Sequence, residues 1–411
     1  MRAESKIRSP WSIEIEELRN RGLFRTMPRM SGLPGRTGVV NDTEVLNFSS
    51  NNYLGLAGHP LVIQTLTQCA ARYGAGSTAS RLIAGNGEPY RELEAFIARW
   101  KGTDAAMVFG SGYQANVGIL SCVADEPDLI VSDSLNHASI IDGCRLSRAQ
   151  VRVYPHLDLE RLDSLLKVSG FRRKLVVTES VFSMDGDRAP LKELDELCRR
   201  RCAMLMVDEA HATGIFGPQG QGLSQELGVT PEIQMGTLGK AVGTCGAYVA
   251  GSRELIDFLV NRARSFIYTT AVSPPVMGAA LEALKIVASP EGTLRRDRLR
   301  RNVRLLRELL PPHLAPDSQP SHIVPVQIGE SSTTMRVSAE CLAQGIFAHG
   351  IRYPTVPEGT ARLRFTLMSD HTEEDLIKAA RVVAQAVERF EHEQMGPMRT
   401  CSAFNRTSGR F

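Results

Sequence analysis

The chain has 411 residues, enough for one or two large domains, and 43% of them are hydrophobic against 23% charged. This composition is typical of a globular protein and excludes wholesale disorder or a collagen-like repeat. The net charge of +3, from 48 basic and 45 acidic residues, gives no argument for nucleic-acid binding.

Cysteines and apolar stretches indicate the compartment. The chain has eight cysteines and no C-x-x-C pair, and Cys198 and Cys202, although at helical spacing, have no neighbouring partners to complete a zinc site. We therefore expect reduced thiols and no metal. Residues 1–11 contain no apolar run typical of a signal peptide, and no stretch reaches the ~20 apolar residues of a membrane span. The sequence predicts a cytoplasmic protein.

In chain order, a short amphipathic helix at 12–25 comes first, followed by a strand-like segment at 45–48 and a turn-rich loop. From about residue 104 to residue 249, short apolar runs alternate with helical segments. This alternation predicts an α/β fold with a mostly parallel sheet covered on both faces. The runs are residues 105–109, 129–131, 175–178, 204–207 and 247–250.

After residue 289 the pattern changes to a smaller α+β arrangement. A charged helix at 294–310 precedes strands at 323–328 and 363–367 and a final helix from 372 to about 393. The basic run on the charged helix, residues 295–301, is interpreted as a solvated face. We predict four parts: an N-terminal helix and arm (1–50), a large domain (51–288), a small domain (289–393) and a disordered tail (394–411).

A carboxylate follows the apolar run at 204–207, in the order Asp208-Glu-Ala-His211. Polar groups at the carboxyl end of a parallel strand face the crevice where open α/β sheets bind ligands. The same letters occur in helicases, but that function needs a phosphate loop ending in Gly-Lys-Ser or Gly-Lys-Thr. The only Gly-Lys pair, at 239–240, is followed by Ala241, so the ATPase hypothesis is excluded.

Lys240 lies among glycines shortly after another candidate strand. Most lysines are simply exposed, and that alternative applies here. A lysine near apolar surfaces and cations instead has a lowered pKa, and its neutral amine can form a Schiff base. The spacing of Asp208 and Lys240 fits one crossover between neighbouring strands.

The third chemical element is a strand at 106–109, a Gly/Ser turn and a helix whose first amides are free to bind phosphate. Such turns often bind nothing, so the motif is weak alone. A phosphate site, a carboxylate and an amine are together what pyridoxal 5′-phosphate (PLP) requires. This one cofactor accounts for all three features.

From about residue 45 to residue 390 the chain resembles the α-oxoamine synthases, a branch of the fold-type I PLP enzymes. The resemblance implies a large PLP-binding domain with a smaller α+β domain, and a homodimer with shared active sites. The motifs that carry it are Asn-Phe-Ser-Ser-Asn-Asn-Tyr-Leu-Gly (47–55), Asn-His-Ala-Ser (136–139), Thr-Glu-Ser-Val-Phe-Ser-Met-Asp-Gly-Asp (178–187), Asp-Glu-Ala-His (208–211) and Thr-Leu-Gly-Lys (237–240).

The resemblance also implies roles for single residues. Lys240 would bond the cofactor aldehyde, Asp208 would hold the ring nitrogen's proton, and His137 would stack on the ring. Four residues, Lys240, His137, Asp208 and His211, would be catalytic. The implied cofactor contacts add Gly112, Tyr113, Ser183, His211 and Thr237, with Thr269 or Thr270 reaching the phosphate from the other subunit; the implied substrate contacts are Arg25, Asn51, His137, Thr355 and Arg364.

The implied reaction is decarboxylative condensation of an L-amino acid with an acyl thioester of coenzyme A or acyl carrier protein. The segment 354–364 is most similar to the branch that joins L-alanine to a pimeloyl thioester. Branches that use glycine or serine with acetyl, succinyl or palmitoyl thioesters, or that make autoinducers, stay open. So does a non-catalytic scaffold subunit, although the presence of Lys240 argues against it.

Simpler interpretations apply to several of these residues. Arg362 and Arg364 alternate on a strand, which by itself favours solvent exposure. His137 could be the first residue of a helix, and Ser183 could close a turn. Arg25 lies in the part of the chain that matches the family only loosely.

Overall fold

The structure, a computed structural model, describes residues 9–315 and 321–395. It begins with a helix, which has Pro10 in the first turn where a missing N–H costs no hydrogen bond. The predicted helix is present but ends at Asn20 rather than residue 25, and Gly22 follows with a φ of 64°. The N-terminal elements are α1 (Pro10–Asn20), β1 (Met30–Ser31), β2 (Thr37–Val40) and β3 (Thr43–Asn47).

A seven-stranded sheet forms the centre of the fold, in the order β4-β10-β9-β8-β7-β5-β6. The strand β10 is antiparallel to both neighbours, and the other six run in one direction. The predicted mostly parallel α/β sheet is thus confirmed. The strands are β4 (Ala105–Phe109), β5 (Leu129–Asp133), β6 (Gln150–Tyr154), β7 (Lys174–Glu179), β8 (Met204–Asp208), β9 (Ile233–Thr237) and β10 (Ala247–Gly251).

Both faces of this sheet are covered, because neighbouring residues of a strand point to opposite sides. Met107 packs in one hydrophobic core and Val108 in the other, and Ile130 and Val131 divide in the same way. The accompanying helices are α2 (Pro60–Tyr73), α3 (Glu88–Lys101), α4 (Gly112–Val123), α5 (Ala138–Leu146), α6 (Leu159–Leu166), α7 (Leu191–Arg200), α8 (Leu223–Leu227), α9 (Arg253–Arg262), α10 (Arg264–Ile267) and α11 (Pro274–Ala288).

The C-terminal part contains a three-stranded sheet in the order β11-β14-β13 and a short strand, β12, that pairs in parallel with β3. The N-terminal arm and the C-terminal part therefore share one sheet. The elements are α12 (Pro290–Leu309), β11 (Ile323–Gly329), α13 (Ser331–Ala343), β12 (Ile346–Phe347), β13 (His349–Ile351), β14 (Ala361–Thr366) and α14 (Glu373–Met395).

The basic run on α12 is not uniformly solvated, so that expectation is wrong in part. Arg296 is 2% exposed and donates to the Val287 carbonyl at 2.7 Å. Arg295 pairs with Glu291 and donates to the Leu54 carbonyl. These hydrogen bonds join α12 to α11 at Val287 and to the segment at Leu54, so this part of α12 is not a free basic face.

The proposed domain boundary near residue 289 coincides with the junction of α11 and α12. We keep the four-part division as a proposal. The helix α14 continues to Met395, and the rest of the predicted tail lies outside the described residues. In the described part of the chain, none of the helices combines the length and apolar character needed to cross a bilayer.

The sheet topology determines where polar residues converge. Because β4, β5, β7, β8 and β9 run in the same direction, their carboxyl ends lie along one edge. Two carboxylates, a lysine, a histidine and a helix N-terminus follow those ends. The functional site is built at this edge.

Candidate active site

A cavity of about 450 Å³ opens at the carboxyl edge of the large sheet. Residues that the sequence singled out from separate segments meet on its walls, which explains why no single stretch reveals the site. The lining residues are Gly110, Ser111, Gly112, Tyr113, Asn116, His137, Ser139, Glu179, Asp208, Ala210, His211, Met235, Thr237, Gly239, Lys240, Thr244, Cys245 and Gly246.

The carboxylate of Asp208 is fixed at the end of β8. It is 3% exposed, and each of its oxygens accepts a hydrogen bond. Oδ1 accepts from the Ala210 amide at 2.8 Å, and Oδ2 accepts from Asn116 Nδ2 at 2.8 Å. A buried anion held in this way can accept a proton-bearing ring nitrogen without reorientation.

Lys240 follows β9, the immediate neighbour of β8, as the single-crossover spacing predicted. The alternative of an exposed turn lysine is wrong, since the side chain lies in the cavity wall. Burial is the main cause that lowers the Lys240 pKa, and the Arg364 charge adds to it, while Asp208 and Glu179 oppose it. The amine therefore loses its proton more readily than an ordinary lysine, as a nucleophile requires.

Glu179 at the end of β7 is a cavity residue that the sequence reasoning did not single out. It is 2% exposed, and its Oε1 has no hydrogen-bond partner among the described residues. Burial, and then the charge of Asp208, raise the Glu179 pKa well above its usual range. Glu179 therefore keeps its proton to a higher pH than an ordinary carboxyl group does.

His137 lies where β5 leads into α5, and it is both a cavity residue and the N-cap of that helix. Its Nδ1 accepts from the Ser139 amide at 3.2 Å and lies 2.7 Å from Ser139 Oγ. Burial lowers the His137 pKa, so the ring is neutral at neutral pH. The helix-start interpretation and the cavity role are compatible.

The N-terminus of α4 is the part of the cavity suited to phosphate. The Ser111 hydroxyl caps the helix by accepting from Gln114, while the amides of Gly112 and Tyr113 precede the first complete turn. A side chain at Gly112 would meet Thr237 Cγ2 at 2.8 Å, so only glycine leaves the space open. Anion donors, a buried carboxylate and a lysine line one cavity, and this set fits PLP.

A second hydrogen-bond group lies behind the cavity. The Tyr53 hydroxyl donates to Asn51 Oδ1 at 2.9 Å and lies 2.7 Å from His211 Nδ1. Burial, Lys240 and Arg364 lower the His211 pKa well below its usual range. Asn51 Oδ1 also accepts from Arg364 at 3.2 Å. Tyr53, absent from the sequence-based set, joins His211 to the predicted substrate residues.

The two arginines of β14 are buried, so the expectation of solvent exposure drawn from strand alternation is wrong. Arg362 is 4% exposed and bonds Asp185, and Arg364 is 7% exposed and bonds the Ser183 carbonyl at 2.5 Å. The loop that carries Asp185 and Ser183 covers this face of the strand. Local alternation cannot indicate that cover.

The structure does not bring every predicted residue to the cavity. Ser183 contributes its carbonyl to Arg364, and Thr269 accepts from Gln114 at 3.4 Å outside the cavity wall together with Thr270. Arg25 and Thr355 are both exposed, and they contact each other at 3.4 Å. Their site roles stay predictions.

The chain belongs to the aminotransferase class I and II family, whose model matches residues 43–383. It is 49% identical to the 8-amino-7-oxononanoate synthase of Geobacter metallireducens over 377 residues, which cover 90% of this chain and 96% of that protein.

Among solved structures, serine palmitoyltransferase from S. paucimobilis, with bound PLP-myriocin, is similar at a TM-score of 0.87 and 28% identity. The match covers 93% of this chain and all of that one. An 8-amino-7-oxononanoate synthase from Francisella tularensis is similar at a TM-score of 0.74 and 28% identity, over 85% of this chain and 99% of that one.

Replacing the neutral Glu179, as Glu179→Gln, will flatten the pH dependence of stability in the ligand-free protein. A raised folded pKa means that the native state keeps a proton which the unfolded chain releases, so stability is lost as pH rises above the unfolded value. Glutamine keeps the shape and cannot titrate. The melting temperature of the variant will therefore fall less than that of the wild type between about pH 5 and about pH 8.

The control is Glu196→Gln, at a carboxylate whose side chain is 71% exposed. Melting followed by circular dichroism should give parallel curves for this control and the wild type. Parallel curves for Glu179→Gln and the wild type would contradict a protonated Glu179.

Proposed function

We propose that this protein is a PLP-dependent acyltransferase that condenses L-alanine with a pimeloyl thioester to give 8-amino-7-oxononanoate, CO2 and free thiol. The observation that carries the proposal is the meeting of Asp208, Lys240 and the α4 N-terminus in one cavity. The substrates follow from relatives named 8-amino-7-oxononanoate synthase at 47–49% identity. Biotin biosynthesis is the corresponding pathway.

PLP, when bound, supplies an aldehyde that joins to amines and a protonated ring that accepts an electron pair from the substrate's Cα. The Asp208 carboxylate would keep that ring protonated, since its oxygens are fixed by Asn116 and Ala210. The free amides at Gly112 and Tyr113 would hold the phosphate. These contacts use groups that the chain already orients.

Lys240 is suited to move the proton at Cα. Its lowered pKa means that the amine gives up its proton more readily than an ordinary lysine does, so in its neutral form it can accept the Cα proton and return it after decarboxylation. The neutral ring of His137, on the cavity wall, would stack on the cofactor and orient the incoming thioester carbonyl.

Arg364 would bind the carboxylate of the amino acid. Two of its five N–H donors bond Ser183 and Asn51, which holds the planar guanidinium group in place. Arg25 and Thr355, in contact with each other, would close the substrate side. In a homodimer, Thr269 or Thr270 would reach the phosphate of the partner site.

Arg364→Met will raise the KM for L-alanine about 30-fold or more and leave the KM for the thioester nearly unchanged, because the lost charge pairs with the amino-acid carboxylate. Steady-state kinetics with each substrate varied in turn measure this. The matched control is Arg362→Met, which removes a buried charge from the same strand. Arg362 bonds Asp185 and not Asn51. Equal KM changes in both variants, or a change confined to the thioester, would contradict the assignment.

The function itself is tested by thiol release from PLP-loaded protein. Alanine, glycine and serine are each combined with pimeloyl, acetyl, succinyl and palmitoyl thioesters of coenzyme A and acyl carrier protein, and product masses are recorded. The proposal predicts turnover with alanine and pimeloyl thioester and the mass of 8-amino-7-oxononanoate. Turnover confined to another pair would assign a different α-oxoamine synthase.

If the protein were a non-catalytic scaffold, the same experiment would give a different result. Lys240→Ala serves as the inactive control, since it lacks the amine that the reaction needs. Wild-type rates equal to those of Lys240→Ala with every substrate pair would reject the enzyme. A wild-type rate that exceeds the variant's would reject the scaffold.

A further inference from the structure

We infer that Asn116 and Ser139 are positioning residues that fix the direction of a hydrogen-bond chain from Asp208 to His137, so that His137 presents an Nε2–H donor to the reacting groups. This inference rests on the proposed function for its meaning. The chain itself is a property of the protein's own side chains.

The first link is fixed by the carboxylate. An ionised carboxylate only accepts, so the Asn116 atom 2.8 Å from Asp208 Oδ2 must be the amide nitrogen. The second hydrogen of that nitrogen is donated to Ser139 Oγ at 2.9 Å. Asn116 Oδ1 has no partner among the described residues, although the residue is only 1% exposed. The amide thus keeps this orientation at the cost of an unpaired carbonyl.

The second link follows from the first. Because Ser139 Oγ accepts from Asn116, its own hydrogen is free for His137 Nδ1 at 2.7 Å. The Ser139 amide donates to the same ring nitrogen at 3.2 Å. With two donors directed at it, Nδ1 carries no proton, and in the neutral ring the proton must be on Nε2.

The ionisable groups around His137 agree with a neutral ring. Asp208 favours its protonation, whereas Lys240 and the burial of the ring oppose it. Glu179 is protonated and adds no negative charge, and the buried His211 is neutral. The hydroxyl of Ser139 adds to this balance, because a bond donated to a lone pair is lost when that nitrogen gains a proton.

A neutral ring with a fixed Nε2–H can donate to a carbonyl oxygen as negative charge develops on it, without first losing a proton or turning over. Asp208 then has two tasks. One of its oxygens would share a proton with the cofactor ring, and the other, through Asn116 and Ser139, sets which nitrogen of His137 carries a proton. Asn116 connects these tasks.

The test is the protonation state of His137 in PLP-loaded protein, measured from its imidazole 15N shifts and assigned by comparison with His137→Gln. The wild type should show an unprotonated Nδ1. Asn116→Asp keeps the shape and reverses the chain: the new carboxyl shares a proton with Asp208 and accepts from the Ser139 hydroxyl. Ser139 Oγ then no longer donates to Nδ1, while the Ser139 amide still does. With one of its two donors lost, His137 should have a higher pKa than in the wild type.

Ser139→Ala tests the chain without adding charge. Loss of the hydroxyl donor should raise the pKa of His137 by about half a unit to one unit, and the acid limb of the pH–rate profile should move with it. The matched control is Ser147→Ala at the other end of α5, whose hydroxyl donates to the Cys144 carbonyl at 2.7 Å. It should leave the shifts and the pKa of His137 unchanged.

A protonated Nδ1 in the wild type would overturn the inference, as would an unchanged His137 pKa in Asn116→Asp or in Ser139→Ala. The 15N shifts and the His137 pKa obtained from them are measured without acyl transfer. The expected shifts in a protein with no condensing activity would reject the proposed function and leave the chain intact. Normal condensing activity without the expected 15N shifts would reject the hydrogen-bond chain and leave the proposed function intact.

Discussion

The site depends on one constraint, that the ionised carboxylate of Asp208 is buried and must be hydrogen-bonded. Its partners come from different parts of the fold: Ala210 from the turn after β8, and Asn116 from α4. Because α4 also presents free amides at Gly112, the same bond that satisfies the anion fixes the phosphate-binding end of the cavity. The parallel strands make this arrangement possible, since they bring every one of these segments to a single edge.

The electrostatics of the cavity follow from that anion. A second carboxylate, Glu179, cannot ionise beside Asp208 in a buried site, and it keeps its proton. Burial disfavours the cationic form of Lys240, and the nearby Asp208 favours it. The Lys240 pKa is lowered because the effect of burial is the larger of the two. The histidines, His137 and His211, remain neutral. The site therefore combines a fixed carboxylate group at Asp208 with a lysine that gives up its proton more readily than an ordinary one, as a cationic ring and a carbonyl substrate require.

The sequence predicted the site residues that follow directly after strands. It did not predict the residues whose roles depend on contacts between segments that are distant in sequence. Asp208 and Lys240 were found because an apolar run precedes each one, and their spacing fitted adjacent strands. Glu179 lay within a quoted motif, and Asn116 lay on the helix after the Gly/Ser turn. Their roles arise from Asp208, which is 92 residues from Asn116 and lies opposite Glu179 on the neighbouring strand, and no local pattern reports this. The burial of Arg364 was missed for the same reason, since the covering loop is distant in sequence. The edge strand β6 was overlooked because only Tyr154 among its residues is buried.

The most direct test of this account is where PLP attaches. The loaded protein is reduced with borohydride, digested and mapped by mass spectrometry, with Lys240→Ala and Lys101→Ala treated in parallel. Lys101 is a suitable comparison because it is also buried, but it pairs with Glu209 away from the cavity. We expect one pyridoxyl group per chain, on Lys240, and none in Lys240→Ala. Attachment at another lysine, or no covalent attachment in the wild type, would contradict it.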